Sequence, residues 1–96
     1  MPTYVTLIHY TEQGVKTFKD LPGRLEETRK AGNELSAKMI AYYLTMGRYD
    51  AIVISEAPDD ESVAKLALRA AGRGNVRTET LRAFDEHEAT RIAAEL

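Results

Sequence analysis

Residues 38–45 and 49–57 are two segments rich in residues favoured in β-strands, and only Met46, Gly47 and Arg48 lie between them. A connection this short that contains glycine is typical of an antiparallel β-hairpin, because glycine adopts the positive φ that a tight turn requires. We therefore predict that strands two and three form a hairpin with Gly47 at positive φ. The rest of the chain has to fold around this hairpin.

The part of the chain before the hairpin predicts one strand and one interrupted helix. Residues 3–10 are rich in Tyr, Val, Thr, Leu and Ile, which favour a strand. Thr11 is a suitable helix cap, but Pro22 lacks an amide hydrogen and disfavours helical geometry in the residue before it. We expect the helix to break there and to restart behind Asp20 as its cap, continuing to about residue 32.

The part of the chain after the hairpin predicts a second helix, a fourth strand and a short terminal helix. Residues 58–61 open the second helix with capping carboxylates, and its apolar positions recur at helical spacing. Residues 75–83 form a polar strand suited to a sheet edge. A terminal helix is predicted over about residues 85–96, capped by Asp85. Four apolar residues are expected to dock it on the rest of the chain: Phe84, Ala89, Ile92 and Leu96.

The order of these elements is strand, helix, strand, strand, helix, strand, which is the ferredoxin-like βαββαβ pattern of the α+β class. Right-handed crossovers then place both main helices on one face of a four-stranded antiparallel sheet. A chain of 96 residues has the usual size of one domain, so residues 1–96 are predicted to form a single domain.

The predicted strands are apolar on both faces, although helices of the same chain can cover only one. In strand three, Ala51 and Val53 alternate with Ile52 and Ile54. An uncovered apolar face is unusual for a monomer. We therefore predict a homodimer, in which two sheets face each other as a dimeric α/β barrel. The alternative is that the terminal helix folds back over the sheet face that the two main helices leave uncovered.

Composition excludes several classes of function. The net charge is −2, and the two signs are interleaved, which argues against a nucleic-acid partner. The chain has no cysteine, and His9 and His87 are far apart, so we expect neither a metal site nor a cofactor. No apolar run approaches the ~20 residues that cross a bilayer, and the first residues resemble a strand rather than a signal peptide. A cytoplasmic protein without membrane contact is expected.

The hairpin connection contains the motif Gly47-Arg48-Tyr49-Asp50, and its Gly-x-Tyr-Asp pattern resembles that of the GYD domain family. Residues 56–61 and 74–83 also resemble this family, so the similarity covers nearly the whole chain. The resemblance implies a ferredoxin-like subunit of the dimeric α/β-barrel type, in agreement with the pattern of elements. It leaves the activity open, since the family is mostly of unknown function.

Five residues are candidates for a functional site. His9 could act as an acid or base, Tyr43 could orient a carbonyl or hydroxyl group, and Arg24 could attract an anion. We expect them around the concave space beside the sheet, because the helices are expected to fill the opposite face. Tyr49 and Asp50 are further ligand-binding candidates, although turn geometry alone explains the motif that contains them.

Three functions of different classes are compatible with this sequence. The dimer could bind a small apolar or anionic molecule between its sheet faces. It could be a cofactor-independent enzyme of the oxygenase or isomerase type, an analogy that rests on the fold alone. It could also be a structural or regulatory homo-oligomer that recruits another protein.

Overall fold

The computed structural model describes all residues from 1 to 96 and confirms the predicted order of elements. The four strands are β1 (Thr3–Tyr10), β2 (Lys38–Leu44), β3 (Ala51–Glu56) and β4 (Val76–Ala83). The helices are α1 (Glu12–Lys16), α2 (Leu21–Glu34), α3 (Asp60–Ala71) and α4 (Glu86–Ala94), with a 3₁₀ turn at Phe18–Asp20. None of these helices is long and apolar enough to cross a membrane.

The strands form one antiparallel sheet in the order β2-β3-β1-β4. This order, with α2 and α3 packed on the same face, is the ferredoxin-like α+β fold, so the predicted fold class is confirmed. The buried residues between the sheet and these helices are mostly small. They include Ala37, Ala51, Ala57 and Val63, together with Tyr4 and Ile8.

Three of the four predicted helix caps are present. Thr11 accepts a hydrogen bond from the Gly14 amide, and Asp59 accepts one from the Ser62 amide. Asp85 forms a reciprocal capping box with Glu88. The prediction that Asp20 caps α2 is wrong, because its side chain accepts no amide hydrogen. A 3₁₀ turn leads directly into α2, and proline at its start needs no amide partner.

The hairpin connection is longer than predicted, because β2 ends at Leu44 and β3 begins at Ala51. Gly47 has φ of 108°, which confirms the expected positive φ. The amide of Thr45 donates to the carbonyl of Asp50 at 2.8 Å, and its hydroxyl donates to the carbonyl of Tyr49 at 2.6 Å. These bonds close the loop around Gly47.

A β-bulge in β2 changes which side chains share a face. The register passes from Met39 opposite Ser55 to Ala41 opposite Ile54, so Ile40 has no partner on β3. Regular alternation would place Met39 on the same face as Ala41 and Tyr43, but the extra residue turns Met39 towards the helices.

The terminal helix α4 does not dock on its own chain, contrary to the prediction. Phe84, Ile92 and Leu96 are exposed, and Leu96 is fully so at 100%. The contacts at the start of α4 come from Arg82, which lies over the Phe84 ring and 3.8 Å from a Glu88 carboxylate oxygen. The alternative in which this helix covers the sheet is therefore also wrong, and the sheet face away from α2 and α3 is bare.

Candidate functional site

The strand register divides the candidate residues between two faces of the sheet. Thr6, Ile8 and Tyr10 point towards the helices, so the alternating positions of β1, including His9, point to the bare face. Tyr43 lies opposite Ile52 and shares that bare face. We call this surface the open face.

The open face is largely apolar, as predicted. Tyr43 is 61% exposed and Leu81 is 48% exposed in the single chain. The register places seven apolar or aromatic side chains on this face: Val5, Leu7, Ala41, Tyr43, Ile52, Ile54 and Leu81. When one face of an antiparallel sheet meets water, its strands normally alternate apolar residues with polar ones. In this sheet the side chains on the bare face are largely apolar as well.

A small polar cluster stands at one end of the open face. The rings of His9 and Tyr49 lie 4.9 Å apart, and the Tyr49 hydroxyl donates to a Glu79 carboxylate oxygen at 3.0 Å. That hydrogen bond raises the pKa of Tyr49 above its usual value. Arg48 lies 5.8 Å from the centre of the Tyr49 ring. His9 is thus brought next to Tyr49, whereas neither a hydrogen bond nor a ring contact joins it to Tyr43.

Asp50 has a structural role in this arrangement. Its carboxylate accepts the amide hydrogen of Tyr10 at 2.9 Å, and its own amide donates to the carbonyl of Ile8 at 2.8 Å. Both bonds attach the hairpin loop to the end of β1. The acidic residue of the Gly-x-Tyr-Asp motif therefore positions the loop that carries Tyr49.

Arg24 lies on the opposite side of the sheet from His9 and Tyr43. It belongs to α2, and its side chain is only 18% exposed. Its guanidinium group donates to the Thr17 hydroxyl and, at 3.5 Å, to the Gly14 carbonyl. The expectation that Arg24 stands beside His9 and Tyr43 is wrong, because α2 packs on the other face.

The helices do not fill the face on which they pack, contrary to expectation. A cavity of about 110 Å³ lies between the sheet and helices α2 and α3. Small side chains meet across it, among them Thr6 and Ser55 from the sheet and Ala67 and Ala70 from α3. We call this space the helix-side cavity.

Polar groups occupy one part of the lining of the helix-side cavity. The hydroxyl groups of Tyr10 and Tyr42 lie 2.6 Å apart and share a hydrogen bond. Burial, and then this bond, raise the pKa of Tyr10, while the nearby charge of Arg24 acts in the opposite direction. Two tyrosine hydroxyl groups and the side chain of Arg24 therefore border the same, mainly apolar space.

Sequence reasoning did not single out Tyr10 and Tyr42 as site residues. A signal was present for Tyr10, since alternation along β1 places it on the same face as the buried Tyr4 and Ile8. A tyrosine hydroxyl on a core face needs a hydrogen-bond partner. No group of three or more His, Cys, Asp or Glu side chains is placed to hold a metal ion.

Solved structures that resemble this fold include two that match 88% of this chain. One is the leucine response regulatory protein of Mycobacterium tuberculosis, with a TM-score of 0.65 and 17% sequence identity, matched over 88% of this chain and 51% of that chain. The other is a protein of Thermus thermophilus, with a TM-score of 0.55 and 25% identity, matched over 88% of this chain and 95% of that chain. The first likeness concerns the fold alone, since the chain spans about half of that protein.

Sequence comparison identifies the family. The chain is 34% identical over 85 residues to a Thermus thermophilus protein named glutamine synthetase and cystathionine beta-lyase binding protein. The match covers 88% of this chain and 90% of that relative. A family model described as the GYD domain matches residues 4–93. The similarity inferred from the Gly-x-Tyr-Asp motif is thereby confirmed, and the chain belongs to the GYD domain family.

Proposed function

We propose that this chain is a binding protein that forms a homodimer through its open face and associates with an enzyme of amino-acid metabolism. The bare apolar sheet is the observation that carries the proposal. Ile52, Ile54 and Leu81 lie on this face, and no element of the same chain covers them. Burial of such side chains contributes ~25 cal/mol per Å² of apolar surface, which favours association.

A second copy is the occupant that best fits the open face. The face combines an apolar centre with the polar cluster of His9, Tyr49 and Glu79 at one end, as interfaces combine an apolar core with a polar rim. In a two-fold arrangement the same residues meet from both chains, so the surface has to complement only itself. The helices then form the outer surface of the dimer.

The outer surface of the helices is the proposed contact for a protein partner. Leu68 of α3 is 72% exposed there, and the next residue, Arg69, pairs with Glu34 at 2.9 Å. Protein interfaces combine apolar contact residues with a polar rim of this kind. The name of the Thermus relative states that it binds glutamine synthetase and cystathionine beta-lyase, and we propose partners of this kind for the present chain.

Binding to purified glutamine synthetase and cystathionine beta-lyase from the same organism tests this proposal. Each enzyme is immobilised, and the association of the full chain is followed by biolayer interferometry. We expect saturable binding of at least one enzyme, and a loss of about tenfold or more in Leu68→Asp, because a charge disrupts an apolar contact centre. Leu96→Asp is the matched control, since Leu96 is exposed on the terminal segment. Absence of binding to both enzymes would contradict the proposed partners.

A small molecule between the paired sheets is a second candidate function. The polar His9, Tyr49 and Glu79 cluster on an otherwise apolar face favours it. His9 and Tyr43 would then line the space between the two chains. A His9→Ala variant that dimerises normally but loses a ligand copurified with the wild-type protein would support this function, and a dimer whose interface is filled by side chains would exclude it.

A further inference from the structure

We infer that the helix-side cavity is a binding site, within each chain, for a small aliphatic carboxylic acid. The site is distinct from the open face and does not depend on the proposed dimer. Its apolar part would hold a short hydrocarbon tail, and Arg24 with Tyr10 and Tyr42 would hold the carboxylate.

The size of the cavity limits the tail. An apolar cavity of about 150 Å³ accommodates benzene, so the volume of about 110 Å³ found here suits a tail of about four carbons. The walls around it are mainly aliphatic, with Val53 and Val76 from the sheet and Val63 and Leu66 from α3. A branched or linear aliphatic chain fits such walls without an unpaired polar atom.

The tyrosine pair of the helix-side cavity offers one unused hydrogen-bond donor. The hydroxyl groups of Tyr10 and Tyr42 carry two protons, and only one is used in the bond between them. The second proton has no acceptor within the protein. A ligand oxygen beside this pair would therefore accept a hydrogen bond.

The charge of Arg24 is also incompletely balanced. Its carboxylate neighbour, Asp20, lies 4.0 Å away and is 74% exposed, so water weakens their attraction. The other partners of the guanidinium group are the neutral Thr17 hydroxyl and the Gly14 carbonyl. A largely buried cation with spare donors and a hydroxyl proton without an acceptor border the same space, and together they favour an anion with two oxygens. A carboxylate meets both requirements, whereas a neutral alcohol can only accept the hydrogen bond and a protonated amine meets neither requirement.

The probe for this site is 3-methylbutanoate, and 3-methylbutan-1-ol is the neutral control with the same carbon skeleton. Methyl-region ¹H–¹³C spectra of the full chain are recorded during each titration. We expect saturable shifts at Val53, Val63 and Val76, with a millimolar to micromolar Kd for a ligand of about seven non-hydrogen atoms. The acid should bind about tenfold or more tightly than the alcohol. No saturable shift at these methyl groups would overturn the inference.

Two variants separate the apolar and charged parts of the site. Arg24→Gln should bring the affinity of the acid down to that of the alcohol, and unchanged preference for the acid would refute charge recognition. If this variant does not fold, Tyr42→Phe takes its place and should weaken the acid more than the alcohol. Ala67→Leu places extra carbons in the cavity and should abolish binding of both compounds. Retained binding in Ala67→Leu would show that the ligand lies elsewhere.

A third variant distinguishes this inference from the proposed homodimer. Ile52→Asp introduces a charge on the open face, so it should separate the two chains without reaching the helix-side cavity. Binding of 3-methylbutanoate should remain unchanged in this variant. Loss of binding together with loss of the dimer would place the ligand between the sheets and would overturn the assignment to the cavity.

Discussion

The hydroxyl groups of Tyr10 and Tyr42 meet at 2.6 Å above the sheet, although β1 and β2 are not neighbouring strands. Strand β3 separates them, and its residue Ala51 is completely buried. The small side chain of Ala51 leaves space for a contact between the tyrosines across β3. The pair therefore connects an inner strand to an edge strand and also supplies the polar part of the helix-side cavity.

Removal of one hydroxyl from this pair should destabilise the protein. Tyr42→Phe leaves the Tyr10 hydroxyl without a protein partner, so we expect the free energy of unfolding to fall by about 1 kcal/mol. Tyr43→Phe is the matched control, because Tyr43 is exposed on the open face. Urea unfolding followed by circular dichroism measures both variants. Equal stability of Tyr42→Phe and wild type would show that the bond contributes nothing.

The raised pKa of Tyr10 predicts a dependence of stability on alkaline pH. Folding favours the neutral phenol, so the folded pKa lies above the ordinary value of 10.0. The resulting stabilisation is complete below the unfolded pKa and is lost as pH rises towards the folded pKa. We expect the unfolding free energy of wild type to decline above about pH 10, and that of Tyr10→Phe to decline less steeply. Parallel pH profiles for the two proteins would contradict this account.

Substitution by alanine at two glycines should change the stability of the protein in opposite directions. Gly47 has φ of 108°, and a Cβ atom there would meet nothing within 4 Å. Gly47→Ala should therefore cost about 1 kcal/mol through backbone strain alone. A Cβ on Gly23 also meets nothing within 4 Å, but Gly23 lies in α2.

Gly23→Ala should consequently be neutral or stabilising by up to about 1 kcal/mol, because alanine restricts the unfolded chain and favours a helix. The melting temperatures of both variants and of wild type are measured by thermal unfolding. If Gly47→Ala melts at or above the temperature of wild type, alanine is not strained at the positive φ of residue 47.

Local signals explain why the order of elements could be predicted. Thr11, Asp59 and Asp85 act within one helical turn, and Gly47 acts within one loop, so neighbouring residues suffice to identify their roles. Asp20 failed as a predicted cap because it belongs to the 3₁₀ turn before α2, and its φ of −82° and ψ of 4° differ from the extended backbone of a capping residue.

The features that the sequence did not reveal depend on residues distant along the chain. The bulge at Ile40 arises from its pairing with β3, and it reverses the face of Met39. The helix-side cavity exists because small residues of the sheet meet small residues of α3, which no single segment shows. The sequence identifies Arg24 as a candidate anion contact. The packing of α2, which the sequence pattern does not show, decides on which side of the sheet Arg24 lies.

Two neighbouring residues of β3 provide the most direct test of the open face as the dimer interface. Val53 lines the helix-side cavity, whereas Ile52 lies on the open face. Val53→Asp places a charge inside the folded chain and should destabilise it by several kcal/mol, at least ~2. Ile52→Asp should leave the chain folded, since its side chain points away from the helices and is partly exposed to water in the single chain.

Equilibrium sedimentation of wild type and Ile52→Asp at micromolar concentration measures the assembly itself. We expect wild type to sediment at twice the chain mass of 10.7 kDa, and folded Ile52→Asp to sediment at the mass of one chain. Wild-type protein that sediments as a monomer, or Ile52→Asp that remains a dimer, would contradict pairing through the open face.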